Sequence, residues 1–207
     1  MSVVFQCPRS SLDMIVDLYR EYMLHTLPSY TKPTVLDVGA HVGSFAFYAL
    51  RRWPDGRVIS FEPHPETFGM LRSNVEGLPV EVRNVAVVHP RRSETMRLFE
   101  GVSGRHECSL RDDVRWPHCS QKLNEWVDVA TTDAAELPPA DVLKVDTEGS
   151  EVEILSGYKH LRGVRALLVE PHAVGGNYNG QKATITQIAR HAGLHPVDGG
   201  LLRFVRR

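Results

Sequence analysis

The stretch LKVDTEGSEVEIL, residues 143–155, places Asp146, Glu148, Glu151 and Glu153 within eight residues. It begins as an apolar strand and ends as the first turns of a helix, so four carboxylates collect at one strand–helix junction. Like charges there repel, and burying them without partners is costly. Ser150 followed by Glu153 has the spacing of a capping box for a helix running through Val152, Leu155 and Tyr158. Glu151 falls in the first turn, where the helix dipole favours negative charge by about 0.3–1 kcal/mol. Asp146 has no such explanation, and Glu148, two residues on in the turn, can join it or face water. The next apolar run ends in VEPH, which brings Glu170 and His172 out at a strand end as well. A histidine that titrates near neutrality is a natural general base.

A second constellation lies earlier. In VLDVGAHVGSF, Asp37 ends an apolar run, and Gly39 and Gly43 fall in the turn before a helix. Glycine there lets the backbone approach a ligand without a Cβ in the way. The spacing G-x-x-x-G differs from the G-x-G-x-x-G that cradles a pyrophosphate. Asp37, an acidic residue two positions before the first glycine, suits a ligand with an ammonium group and no phosphate. Glu62, in SFEPHPE, ends the following run, where a carboxylate can accept the hydroxyls of a ribose.

The elements that position these residues alternate. Thr34–Gly39, Arg57–Pro63, Val80–Val88, Asp141–Asp146 and Val164–Pro171 read as strands. GSFAFYALRRW, PETFGMLRSNVEG and SEVEILSGYKHL read as helices between them. Short apolar strands alternating with helices of about three turns argue for a parallel sheet covered on both faces. Residues 1–33 form a leader, with Leu12, Ile15, Val16, Tyr19, Tyr22 and Met23 at helical spacing as a cover. Residues 34–207 form one domain, interrupted at about 95–133 by two further strands, Thr95–Gly101 and Glu125–Asp133. A last helix is expected near Thr184–His191, and the DGG turn suits a closing hairpin.

The blocks VLDVGAHVGSFAFYAL, VISFEPHPETFGMLRSNV and DVLKVDTEGSEVEIL, followed by LLVEPH, resemble the FkbM family of class I S-adenosylmethionine-dependent methyltransferases. The K-x-D-x-E-G-x-E pattern of the third block is the most specific. The resemblance covers Val35 to His172. It implies an α/β Rossmann-like fold with a mostly parallel seven-stranded sheet flanked by helices, here carrying the extra two-strand insertion. It implies S-adenosylmethionine as cofactor, with Asp37, Gly39, His41 and Gly43 along its methionine part. Glu62 and Pro63 then lie at the ribose, Asn84 and Ala86 near the adenine, and Asp146 at the reacting end. The acceptor implied is a hydroxyl of a sugar, glycan or natural product.

On that reading Asp146 or His172 takes the acceptor's proton, and Glu148 and Glu170 orient the substrate or the base. A divalent metal held by Asp146, Glu148, Glu170 and His172 is the competing, less favoured arrangement. An amine or nucleic-acid acceptor on the same scaffold, or a binding module without catalysis, are the alternatives. DTEG stands where an amine-clamping N/D-P-P-Y/F would. His106, Cys108, His118 and Cys119 do not have the spacing of a closed zinc site, and Arg105, Ser109 and Arg111 are candidate acceptor contacts.

Composition narrows the class further. The 207 residues are 42% hydrophobic and 24% charged with a net charge of −1, so no nucleic-acid or membrane partner is expected. Three cysteines are too few and scattered for a disulfide framework. The chain shows neither a signal-peptide apolar region nor a membrane span, so a cytoplasmic location is expected.

Overall fold

The computed structural model describes residues 22–91, 93–101, 104–111, 114–115, 125–197 and 201–206. Of the helix expected in the leader only Tyr22 and Met23 are among them, and His118 and Cys119 lie outside them. Among the described residues no helix is long and apolar enough to cross a membrane.

Seven strands form the main sheet: β1 (Thr34–Val38), β2 (Arg57–Phe61), β3 (Val80–Arg83), β9 (Val142–Val145), β10 (Ala166–Val169), β12 (His195–Val197) and β13 (Leu202–Val205). Their order is β12-β13-β10-β9-β1-β2-β3. Five are joined by parallel pairings, and β13 runs against both β10 and β12. The strands β9 and β10 are buried at every position, Lys144 of β9 included, as strands covered on both faces must be.

Side chains alternate across the pleat, and two cores result. On one face Leu36, Ile59, Leu143 and Leu167 pack with Ile154 and Leu155 of α3 (Glu151–Gly157) and with Ile185 and Ala189 of α4 (Tyr178–His191). On the other, Val35, Val58, Val142 and Leu168 meet Phe45 and Ala49 of α1 (Ser44–Arg52) and Leu71 of α2 (Pro65–Asn74). Tyr22, Leu24, Leu27 and Tyr30 of the leader join this second core. Leaving β1, the chain builds outward through β2 and β3, and later returns to build β9 and β10 on the other flank. The order therefore reverses between β1 and β9, and the crevice at their carboxyl ends is where such sheets bind ligands.

Three elements differ from expectation. The run Val80–Val88 divides: β3 stays in the main sheet, while β4 (Ala86–Val88) pairs parallel with β8 (Glu125–Asp133) in a second sheet. Asn84 turns the chain between them by donating its side-chain amide to the carbonyls of Glu62 (2.8 Å) and Pro63 (3.0 Å). The insertion contains its two expected strands, β5 (Thr95–Gly101) and β8, but the second sheet has four, ordered β4-β8-β5-β6 with β6 at Gly104–Ser109. A two-residue strand β7 (Val114–Arg115) also pairs with β11 (Ala173–Val174). Finally, α4 begins at Tyr178, six residues before the expected Thr184, because Asn177 caps it by accepting from Gly180 N at 2.9 Å. Asparagine in a glycine-rich run acts here as an N-cap.

Candidate active site

Register brings the predicted residues together. Val38 is level with Phe61 and Val145, Phe61 with Arg83, and Val145 with Val169. The residues that follow these four strand ends and β1 are Glu62, Asn84, Asp146, Glu170 and Gly39. They form one row along the carboxyl edge, and Gly39 N, Asp146 N, Glu170 N and Glu62 N extend the ladder by hydrogen bonds of 3.0–3.1 Å to the neighbouring strand.

The glycine turn is required by the fold itself. Gly39 and Gly43 have φ of 82° and 89°. A Cβ on Gly39 would lie 1.7 Å from the Asp146 carbonyl oxygen, and one on Gly43 would lie 2.7 Å from Leu71 Cδ1. These glycines let the β1 turn sit directly against β9 and α2. His41 also has positive φ, 49°, and its N–H donates to Glu62 Oε2 at 2.8 Å. Glu62 Oε1 accepts from His64 N at 2.9 Å. Burial, opposed by these two N–H donors, pushes the Glu62 carboxyl up to about 7. Ala86 packs with Leu98 and Val129 of the insertion.

Lys144 was not foreseen as a site residue, although a lysine inside an apolar strand was the signal. It is 3% exposed. Its Nζ donates to the Gly39 carbonyl at 2.5 Å and lies 3.4 Å from Asp37 Oδ1 and 3.3 Å from Asp146 Oδ2. Burial alone would lower the Lys144 ammonium, but the carboxylates of Asp146, Asp37 and Glu170 outweigh it and hold it above its ordinary value. The partner that buried Asp37 needs is thus a lysine of the chain itself. Asp146 also accepts from Tyr22 OH at 3.3 Å.

The carboxylates after Asp146 divide their roles differently from the capping-box expectation. Ser150 makes no side-chain cap hydrogen bond, and Glu153 accepts instead from Arg111 Nη1 at 2.8 Å. Glu151, fully buried, turns back toward the loop. Its Oε1 accepts from Thr147 N (3.0 Å), Thr147 Oγ1 (3.2 Å) and Gly149 N (3.0 Å) and contacts His172 Nδ1 at 3.0 Å. Its depth escaped the sequence reading because a carboxylate in a first helical turn is ordinarily solvated. His172 Nε2 lies 3.2 Å from Glu148 Oε2. Glu148 adopts φ of 54°, a left-handed conformation costing a residue with a Cβ roughly 1–2 kcal/mol. Ser109, expected as an acceptor contact, is fully buried and donates to the Glu148 carbonyl at 2.6 Å.

With a carboxylate at each nitrogen, His172 is an imidazolium. Burial by itself would lower its pKa, but Glu148 and then Glu151 hold it well above 6.5. A group raised in the folded state stabilises fully below its unfolded value and loses that contribution as pH rises through the folded one. The stability difference between the native protein and a His172→Asn variant should therefore be largest near pH 6 and shrink as pH is raised. Urea denaturation across pH 6–10 checks this, and a difference that grows with pH would contradict the assignment.

Asp146, Glu148 and His172 present ligand atoms within 4.8 Å of one another. Glu170 is not part of that group.

A parallel sheet reversing at its centre, with one antiparallel strand near its edge and a glycine turn at the switch point, defines a Rossmann-like methyltransferase fold. Solved structures with this fold include a methyltransferase FkbM from Methylobacillus flagellatus KT (TM-score 0.56, 14% identity, covering 97% of this chain and 48% of that one). Another is a precorrin-6y C5,15-methyltransferase from Geobacter metallireducens GS-15 (TM-score 0.52, 13% identity, 92% and 77%). The chain belongs to the FkbM methyltransferase family: the model of the methyltransferase FkbM domain matches residues 37–193. Among curated relatives, methyltransferase sdnD of Sordaria araneosa is 28% identical over 182 residues, covering 72% of this chain and 69% of its own length. The hexuronic acid methyltransferase AglP of Haloferax volcanii is 30% identical over 142 residues, covering 66% and 55%. The chain thus spans little more than half the length of the second.

Proposed function

We propose that this chain transfers the methyl group of S-adenosylmethionine to a hydroxyl of a sugar, glycan or natural product, acting in the cytoplasm. The observation that carries the reading is the single polar junction at the β1/β9 switch point, where Lys144 ties the Asp37 turn to Asp146. Glu62 supports the cofactor. Its buried carboxylate is met by backbone N–H groups, a fit for the two hydroxyls of a ribose. Asp37, Gly39, His41 and Gly43 would hold the methionine part, and Glu62, Pro63, Asn84 and Ala86 would lie toward the nucleoside end. When bound, S-adenosylmethionine supplies a methyl group on a sulfonium, open to displacement by an aligned nucleophile.

The chain's own part is to orient the acceptor hydroxyl and remove its proton, a contribution of about 10²–10⁴-fold. Asp146 is the favoured base, because His172 already carries its proton between two carboxylates. Glu148, Glu151 and Glu170 then fix the imidazolium and the acceptor side of the crevice. A relative named for hexuronic acid supports a sugar acceptor. A second reading puts Mg²⁺ or Mn²⁺ in place of a His172 ring proton, held by Asp146, Glu148 and the neutral imidazole, supported by the spacing of their ligand atoms. Heat on titrating either ion into chelator-treated protein would favour it.

Calorimetric titration of S-adenosylmethionine and S-adenosylhomocysteine tests the reading, with an Asp37→Ala, Glu62→Ala double variant as control. Both ligands should bind the native chain and neither the variant. No binding to the native chain would end the proposal. The same titration tests Glu62 further. A ligand that holds this carboxyl ionised must displace its proton below about 7, so affinity should fall toward a limit of about tenfold per pH unit as pH drops to 5.5. A pH-independent affinity would count against Glu62 as the ribose contact.

A further inference from the structure

We infer that Ser109 is a positioning residue: through its hydroxyl the insertion holds Glu148 in the conformation that places its carboxylate on His172. The inference rests on the reading of Glu148 and His172 as part of the active site.

Glu148 is one of four described residues other than glycine with positive φ. It sits at φ 54° in a turn whose next residue, Gly149, has φ 113°. The bonds that Glu151 makes within the turn go to Thr147 and Gly149, the residues on either side of Glu148. From elsewhere in the chain Ser109, 39 positions away, reaches the Glu148 carbonyl at 2.6 Å. The Ser109 hydroxyl is used twice, since its oxygen also accepts from Arg111 N at 3.0 Å. Arg111 then reaches over to Glu153 at 2.8 Å, so the end of β6 grips the turn and the first turn of α3 together.

The insertion holds the other member of the pair as well. Strand β7 pairs with β11, setting Ala173 against Arg115 and Val174 against Val114, and Ala173 directly follows His172. Glu148 and His172 are thus each anchored by the same inserted segment, although they leave different strands of the main sheet. Two long side chains meeting at 3.2 Å lose conformational freedom, and fixing both backbones beforehand reduces that loss. A surface insertion that touched only solvent would do none of this.

The test is the His172 ring proton. A ¹H–¹⁵N spectrum of the native protein near pH 6.5 should show a downfield, slowly exchanging Nε2–H signal, absent from His172→Asn. In Ser109→Ala its exchange with water should quicken at least tenfold, or the signal should vanish, while far-ultraviolet circular dichroism still reports a folded chain. Ser109→Thr, which keeps the hydroxyl, should retain it, and this variant carries the test if Ser109→Ala does not fold. An unchanged signal in folded Ser109→Ala, or loss of the signal from folded Ser109→Thr, would overturn the inference. So would its absence from the native protein. The measurement needs neither cofactor nor acceptor. Failure of S-adenosylmethionine to bind would therefore sink the methyltransfer reading while leaving this result to stand or fall by itself.

Discussion

Replacing Lys144 with methionine is expected to lower the free energy of unfolding by about 3–5 kcal/mol, the usual cost of removing one partner from a buried ion pair. The volume is nearly kept, so little of this is a cavity. What is lost is the cation between Asp37 and Asp146, with the donor to the Gly39 carbonyl. Asp37 is wholly buried and would face the interior as a lone charge or take up a proton. The loss should thus be smaller in acid, where Asp37 protonates readily, than at neutral pH. A double variant with Asp37→Leu should recover part of it, since a buried pair replaced by apolar residues is often neutral or stabilising. Urea denaturation of the three proteins decides the matter. A loss below about 1 kcal/mol for Lys144→Met, the range of exposed pairs, would show that the ammonium is not a structural tie.

The second large effect is on turnover. Asp146→Asn keeps the shape of the side chain, its position beside Tyr22 and its backbone bond to Val38, but cannot accept a proton. If Asp146 is the base, S-adenosylhomocysteine release with an acceptor that the native protein methylates should fall by about 10²–10⁴-fold. Cofactor affinity should stay within a few fold, because the glycine turn and Glu62 are untouched. An equal fall in affinity and turnover would move Asp146 from proton transfer to cofactor binding. Full activity in Asp146→Asn would return the base to Glu148 or to another group at the corner. His172→Asn separates these cases: if the imidazolium positions Glu148 and accepts no proton, its loss should cost less than that of Asp146.

Much of this was legible along the chain. The strands are short apolar runs and the helices carry a 3.6-residue period, so the alternation and the covered parallel sheet follow from local pattern alone. The row of Gly39, Glu62, Asp146 and Glu170 was legible too, because each ends an apolar run and parallel strands in register place their ends side by side. Less local features were misread. Val80–Val88 looks like one strand because valine recurs through both halves, and the division depends on where the Asn84 amide finds its acceptors. Ser150 and Glu153 have capping-box spacing, but Arg111, from a distant strand, claims Glu153 while Glu151 satisfies the turn.

By itself the sequence determined the fold class, the family and the positions at which polar side chains leave the sheet, since these depend on periodicity and on residues close together in the chain. The tertiary structure decided which charges neutralise which. Lys144 takes Asp37 and Asp146, and His172 takes Glu148 and Glu151, while Ser109 secures Glu148 from the insertion. Such pairings bring together groups up to 107 positions apart. Their energies depend on distance and burial, and only the folded chain sets those.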